Sequence, residues 1–404
     1  MIRIWLLAVA AFPASAQIPL SEHEAVAQAL SSHPLLAAST EHVAALQALR
    51  TQAGLRPNPR AYFQMENLRS YGSPGFNFGN EADTFGYLSQ VFETGGKRSR
   101  RTEAAGAAVH KAALERELKA REIAGRVKLA YWNAASSQKL YELLRENAGT
   151  FRRIVEYHEA RVREGATAEA DLLRVRVEGE RLEIAANSAH LEAERTRILL
   201  FREMGQTEFP AVRFSDALES MMTAPDADVS RALSARTEIR LAQANVEYAQ
   251  ALLRLEQAQS TPDLDVLFGY KRTAGFHTMM GGVQAALPVS DRNQGNVVAA
   301  EREVKVAQSN LAATGALVRA EVQSARRDFE ARSRQVSSEL PALRDHAGET
   351  SRIALAAYRE GGTDLLRLLD AEQMRIDTQL LYYRTLAEYQ QSRVALEIAM
   401  GVEP

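Results

Sequence analysis

Eight histidines offer the first chemistry to look for: His23, His33, His42, His110, His158, His190, His277 and His346. Two of them at i, i+4 on a helix, or within an H-E-x-x-H run, would hold zinc. No pair has that spacing, and His23-Glu24 lacks the second histidine. The chain has no cysteine, which excludes thiolate metal sites, disulfides, a cysteine nucleophile and a lipidated N-terminal cysteine. Met221-Met222 and Met279-Met280 offer the soft ligands that suit copper, but packing in a linker and a strand explains them adequately without it. Gly95-Gly96-Lys97-Arg98 lacks the spacing and the Ser/Thr of a phosphate loop, and no G-x-S-x-G or G-x-G-x-x-G run occurs. Charge pairs such as Glu115/Lys119 read as solvated helix faces. The residue types therefore point away from catalysis, a resident metal and a cofactor.

With no catalytic constellation, the elements carry the argument. The 404 residues are 46% hydrophobic and 25% charged, with a formal net charge of -2. That is the composition of a folded protein, and it lacks the basic excess of a nucleic-acid binder. Only 12 prolines, with abundant Ala, Glu, Arg and Leu, favour long helices. At the N-terminus Arg3 precedes the apolar run Ile4 to Phe12, far short of the ~20 residues that span a bilayer. Ala14-Ser15-Ala16 follows with small-x-small spacing, so residues 1–16 read as a signal peptide and the mature chain begins at Gln17. Export places the protein in the periplasm, the outer membrane or the medium.

The chain also repeats itself. Glu164-Gly165-Ala166-Thr167 with Leu172-Leu173 resembles Glu360-Gly361-Gly362-Thr363 with Leu368-Leu369, 196 residues on, and Met204-Gly205 resembles Met400-Gly401 at the same offset. Each half reads as helix, strand hairpin, long helix, reversal and returning helix. The expected organisation is a first repeat over 17–205, a linker over 206–228 and a second repeat over 229–404. No proline falls between Lys97 and Glu164, enough for roughly 100 Å of helix. A matching helix from Gln294 should kink or break at Pro341. Leu366, Leu369, Ile376, Leu380, Tyr383, Ala387 and Val394 form a seam of three/four spacing that only Gln373 and Gln390 interrupt, and Ala170, Leu173, Val177, Ile184, Leu191 and Ile198 form another, interrupted by Glu180, Asn187 and Glu194. Such seams imply coiled-coil packing.

Four strands are expected. In one, Leu264, Val266, Phe268 and Tyr270 alternate with Asp263, Asp265, Gly269 and Lys271; in the next, Met279, Gly281, Val283, Ala285 and Leu287 share a face. An earlier strand sets Phe85, Tyr87 and Val91 against Thr84, Gly86 and Gln90, and Ala61 to Leu68 forms the weakest. Ten residues tilted by ~45° rise about 23 Å, close to the apolar band of an outer-membrane barrel. Four strands cannot close a barrel, and open edges in lipid leave backbone groups unpaired. If the strands span a membrane, several chains must share one barrel. The competing reading is a small β-domain between helices, as in a periplasmic adaptor or a coiled-coil scaffold. Two helical repeats with so few strands count against it.

Glycines mark the corners. Gly95-Gly96, and the region of Pro288 and Gly295, fall where strand becomes helix, and Gly supplies unusual dihedrals there while Pro stops strand pairing. Gly165 and Gly361-Gly362 allow tight helix reversals, with Thr363 and Asp364 as N-caps for the returning helix.

From Ser21 to Gly401 these parts resemble the TolC-type outer-membrane efflux channels. Tyr358-Arg359-Glu360-Gly361 with Leu369-Asp370-Ala371 is similar to that family's Y-x-x-G and L-D-A element. Glu93-Thr94-Gly95-Gly96-Lys97-Arg98, Leu287-Pro288-Val289, Asp291-Arg292-Asn293-Gln294-Gly295 and Asn58-Pro59 resemble its cation-efflux, Czc-type branch. The resemblance implies a mainly α fold with a small β part: a tandem repeat of long coiled-coil helices plus two β-hairpins. It also implies a homotrimer, with a 12-stranded barrel in outer-membrane lipid continued by a periplasmic α-helical tunnel. Such a channel is a passive conduit that docks to a periplasmic adaptor and an inner-membrane transporter, by the branch a proton-driven RND pump. The branch implies divalent heavy-metal cations as cargo; small organic toxicants are the alternative. Carried over by position, the adaptor-docking tips are Arg163, Gly165 and Thr167, with Arg359, Gly361, Gly362, Thr363 and Asp364. Asp370 falls at an acidic position of the tunnel entrance. Arg367 stands where the family often has a second acid, so an Arg367–Asp370 pair that holds the entrance shut is a further expectation.

Overall fold

Ser21 shows how sharply this sequence punctuates its helices. Its hydroxyl accepts the Glu24 N–H at 3.2 Å, and the Glu24 carboxylate accepts the Ser21 N–H at 2.9 Å, a reciprocal cap that satisfies two end groups at once. The computed structural model describes residues 18–69, 71–221 and 228–402. The expected signal peptide and Met222 lie outside the described residues.

In chain order the elements are β1 (Ile18–Leu20), α1 (Glu22–Ser32), α2 (Pro34–Ala53), β2 (Arg60–Glu66), a helical turn α3 (Phe78–Glu81), β3 (Asp83–Phe92), α4 (Lys97–Arg163), α5 (Glu169–Glu203), β4 (Val212–Phe214), α6 (Val229–Ala235), α7 (Thr237–Gln259), β5 (Leu264–Thr273), β6 (Phe276–Ala285), α8 (Gln294–Arg334), α9 (Leu340–Arg359) and α10 (Leu365–Met400). A π-helical turn, Gln335–Glu339, separates α8 from α9. Pro341 lies in the first turn of α9. Its ring and missing N–H cannot continue the α-helical ladder, and the widened turn just before it absorbs the mismatch.

The chain divides into two compact units that each draw on early and late sequence: 1–37, 118–236 and 318–404 in one, 38–117 and 237–317 in the other. The first unit is helical around a core that includes Ile123, Val127, Tyr131, Trp132, Leu200, Leu386, Tyr389 and Leu396, all fully buried. Arg393 of α10, itself buried, pairs with Glu22 of α1 at 2.6 Å and with Glu397. The Trp132 indole N–H donates to the same Glu22 carboxylate at 2.9 Å. β1 and β4 form a short parallel pair that the sequence reading did not anticipate. The Tyr131 hydroxyl donates to the Leu20 carbonyl at 3.0 Å, and burial pushes that phenol's pKa up. The Gln390 side chain, a polar break in the expected seam, donates to the carbonyls of Leu218 and Ser220 at 3.1 and 2.9 Å.

The seam expected on α5 does not pack within the chain. Leu173, Val177, Ile184, Leu191 and Ile198 are 41% to 71% exposed, while Leu172, Val175, Gly179 and Ala186 are buried. On α10 the expected seam is largely covered: Ile376, Ala387 and Val394 are buried and Leu366 is exposed, with Leu365, Leu368, Tyr382, Leu386 and Tyr389 buried beside it. α5 therefore carries two apolar stripes, and the 3.5-residue period alone does not say which one the chain itself covers.

The second unit holds one antiparallel sheet in the order β2-β3-β5-β6. Phe268 lies opposite Leu88 on one side and Gly281 on the other, and Val266 opposite Gln90 and Val283. Directly opposed residues share a face. One face therefore carries Phe63, Leu88, Phe268, Met279 and Val283, which are 62% to 70% exposed. The other carries Gln64, Ser89, Asp265, Lys271 and Gln284. The grouping expected for β3 holds, and the register adds which face each set occupies. Phe85 lies opposite Lys271 and Val91 opposite Asp265, so Phe85, Tyr87 and Val91 belong to the polar face. Tyr62 stacks on Tyr87 with centroids 4.6 Å apart, and the Lys271 ammonium lies 5.3 Å from the Phe85 ring centre. Both contacts lie on the polar face, which the backbone register assigns to these residues.

Candidate functional site

The two helix reversals are built alike. After α4 the Gly165 N–H bonds to the Val162 carbonyl at 3.0 Å and the Ala166 N–H to the Arg161 carbonyl at 2.8 Å. After α9 the Gly361 N–H bonds to Tyr358 at 3.2 Å and the Gly362 N–H to Ala357 at 2.8 Å. Gly165 and Gly361 hold φ of 70° and 75°, the left-handed conformation that closes such a cap. Gly362 has no positive φ, so one glycine per reversal carries the turn. Met204–Gln206 and Gly401–Val402 end α5 and α10 with corresponding bonds, from Gln206 to Phe201 and from Val402 to Glu397. Arg163 and Arg359 occupy the last turns of α4 and α9, where a cation meets the negative end of the helix dipole.

The returning helices start differently. Asp364 caps α10, its carboxylate accepting the Arg367 N–H at 3.0 Å. Ala168 stands at the start of α5 with no side-chain cap. Between the reversals lies an open cleft of about 520 Å³ whose walls include Arg161, Thr167, Asp171, Arg174, Thr363 and Asp364. Arg367 and Asp370 are both exposed on α10. Within a single chain, among the described residues, they make no ion pair with each other; exposed side chains three apart gain little from one in water. Asp370 instead flanks a shallow groove along α10 with Met374, Asp377 and Leu381.

At the strand-to-helix junctions the glycines do unequal work. Gly95 and Gly96 have φ of 62° and 72°. A Cβ on Gly95 would meet Thr261 at 2.8 Å, so the junction also needs the close approach. Lys97 pairs with Asp263 at 2.8 Å, and the Thr94 N–H donates to the same carboxylate at 3.0 Å. Arg101 braces the corner from Glu93 and from the carbonyls of Ala53 and Leu55. At the second junction Gly295 sits inside the first turn of α8, and the left-handed residue is Asn293, with φ 59°. Asn tolerates that conformation through local hydrogen bonds; its amide donates to the Glu256 carbonyl and carboxylate at 2.9 and 2.7 Å. Pro288 lies in the segment between β6 and α8. Asn293 is thus a junction residue that the search for glycines passed over, although Asp291-Arg292-Asn293 carried the turn composition that marks it.

Among the described residues no three His, Asp or Glu side chains converge on a metal-sized site, and no helix is long and apolar enough to cross a membrane. The site is a set of surfaces: reversals, junctions and a sheet with one apolar face.

The profile of the outer membrane efflux protein family matches residues 25–206 and 229–402. The chain belongs to that family. It is an outer-membrane efflux channel subunit that extends into the periplasm, and not an enzyme. Channels of this family are trimers that work with an adaptor and a pump. Among its relatives is the cobalt-zinc-cadmium resistance protein CzcC of Cupriavidus metallidurans, 24% identical over 97% of this chain and 93% of that protein. The nickel and cobalt resistance protein CnrC of the same organism is 28% identical over 76% of this chain and 72% of its own length. The fold is similar to that of the outer membrane protein VceC from Vibrio cholerae, with a TM-score of 0.75 at 19% identity over 94% of this chain and 96% of that one.

Proposed function

We propose that three copies of this chain close one barrel of twelve strands and export divalent heavy-metal cations passively through it. The observation that carries this reading is the sheet: four strands with one apolar exposed face and, among the described residues, an unpaired edge on both β2 and β6. Lipid satisfies the face, and only further copies satisfy the edges, because unpaired backbone groups in hydrocarbon cost several kcal/mol each, by order of magnitude. The exposed α5 seam supports the same assembly, since a 3.5-residue apolar stripe left uncovered in one chain suits a helix of the next.

The proposal takes the mature chain to begin at Gln17 and to comprise two repeats, 17–205 and 229–404, joined by 206–228. The reversals at Arg163 to Thr167 and Arg359 to Asp364 form the periplasmic end and receive the adaptor, with Arg367 and Asp370 at the tunnel entrance. The pump is of the proton-driven RND type, and lipid of the outer membrane surrounds the apolar face. The cargo follows from the relatives named for resistance to cobalt, zinc, cadmium and nickel. Deleting the gene should lower tolerance to at least one of these ions, restored by the intact gene. Unchanged tolerance to all four would remove metals as the cargo.

A further inference from the structure

The junction between the two reversals holds a titratable group for which conduction has no use. His158 of α4 is 1% exposed, and its Nδ1 is buried with no hydrogen-bond partner. Its ring meets Tyr157 edge-on with centroids 5.6 Å apart and lies 6.3 Å from the ring of Tyr358 on α9. Tyr358 in turn belongs to an apolar cluster of Val155 from α4, Val175 from α5, Leu355 from α9 and Leu365 and Leu368 from α10. Four helices thus meet beside a histidine that makes no polar contact at Nδ1. The charges that act on it are Arg161 from its own helix and Asp171 from α5; α9 presents the Tyr358 phenol, and α10 contributes the two leucines.

We propose that His158 is a proton-sensitive latch: neutral, it lets the α4–α5 and α9–α10 hairpins pack together, and protonated, it loosens them, so that an acidic periplasm eases the reversals apart. A buried cation without an acceptor is relieved by moving toward water, and the ring can do so only by disturbing Tyr358 and the cluster. Arg161 adds like-charge repulsion. Burial, then Arg161, holds the imidazole below its ordinary pKa, with Asp171 opposing. The unfolded or opened state therefore binds the proton more readily. Packing is fully stable above the ordinary histidine value of about 6.5 and weakens as pH falls below it. Reading this as gating rests on the proposal that the reversals are the periplasmic end; the latch itself does not.

The test is amide hydrogen exchange on the full-length protein in detergent, in whatever oligomer it forms, with rates corrected for intrinsic exchange. Between pH 7.5 and 5.5, protection in residues 150–175 and 350–369 should fall, by up to about tenfold, while residues 123–135 stay protected. His158→Phe, which keeps the ring and removes the titration, should abolish the fall. If that variant does not assemble, His158→Gln should do the same. Protection that is flat in the native protein, or that falls equally in the variant, overturns the latch. Conductance in planar bilayers separates the two readings: pH-linked exchange without pH-linked conductance keeps the latch and removes the reversals as the gate.

Discussion

At the scale of single residues, backbone dihedrals divide the signature glycines into those that are needed and those that are not. Gly361 sits at φ 75°, and Gly362 beside it has an ordinary φ and only van der Waals neighbours for a Cβ. Gly361→Ala should therefore destabilise the reversal by about 1 kcal/mol, and Gly362→Ala by much less. Local hydrogen-exchange protection after α9 reads the difference; equal effects would mean that the cap geometry does not set the turn. Which glycine turns was not legible in the Gly361-Gly362 pair, because both satisfy the same composition signal. The buried pairing of Glu22 with Arg393 was equally hidden. The two residues are 371 apart in sequence, and nothing local marks a partner at that distance. Gln390 looked like a defect in an apolar seam, and its two hydrogen bonds to the linker make it an anchor instead.

At the scale of elements, period was legible and orientation was not. The alternation of β5 and β6 fixed their faces correctly, because both strands carry most of their apolar residues on one side, with Leu267 and Met280 as exceptions. β3 has aromatic or branched side chains on both sides, so its face emerged only from register with Lys271 and Asp265. The strands β1 and β4, three residues each, are too short for any periodic signal. The faces make a prediction. Phe268→Arg, near the middle of the apolar face, should cost about 2–4 kcal/mol if that face meets lipid, and the amount of folded protein in outer membranes should drop. Thr278→Arg, on the polar face, should leave it nearly unchanged. The two α5 positions Ile184 and Leu191 are 67% and 71% exposed; Ile184→Glu with Leu191→Glu should leave the single chain folded by circular dichroism and disrupt its assembly. Retained assembly would show that another surface joins the copies.

At the scale of the whole molecule, the chain is incomplete by its own physics. A sheet with an exposed apolar face and two open edges, and a long helix with an uncovered heptad stripe, are surfaces awaiting partners. The sequence already implied this through strand count, since four strands are too few to close a barrel. What it could not supply was which stripe stays uncovered, because two apolar stripes on one helix are equivalent until tertiary packing selects between them. The direct measurement is the native mass of the protein extracted in detergent from isolated outer membranes. Three copies of the chain per particle is the result expected if the four-stranded sheets close one shared barrel. A monomer from that membrane, or the protein recovered only from the soluble periplasmic fraction, would contradict it.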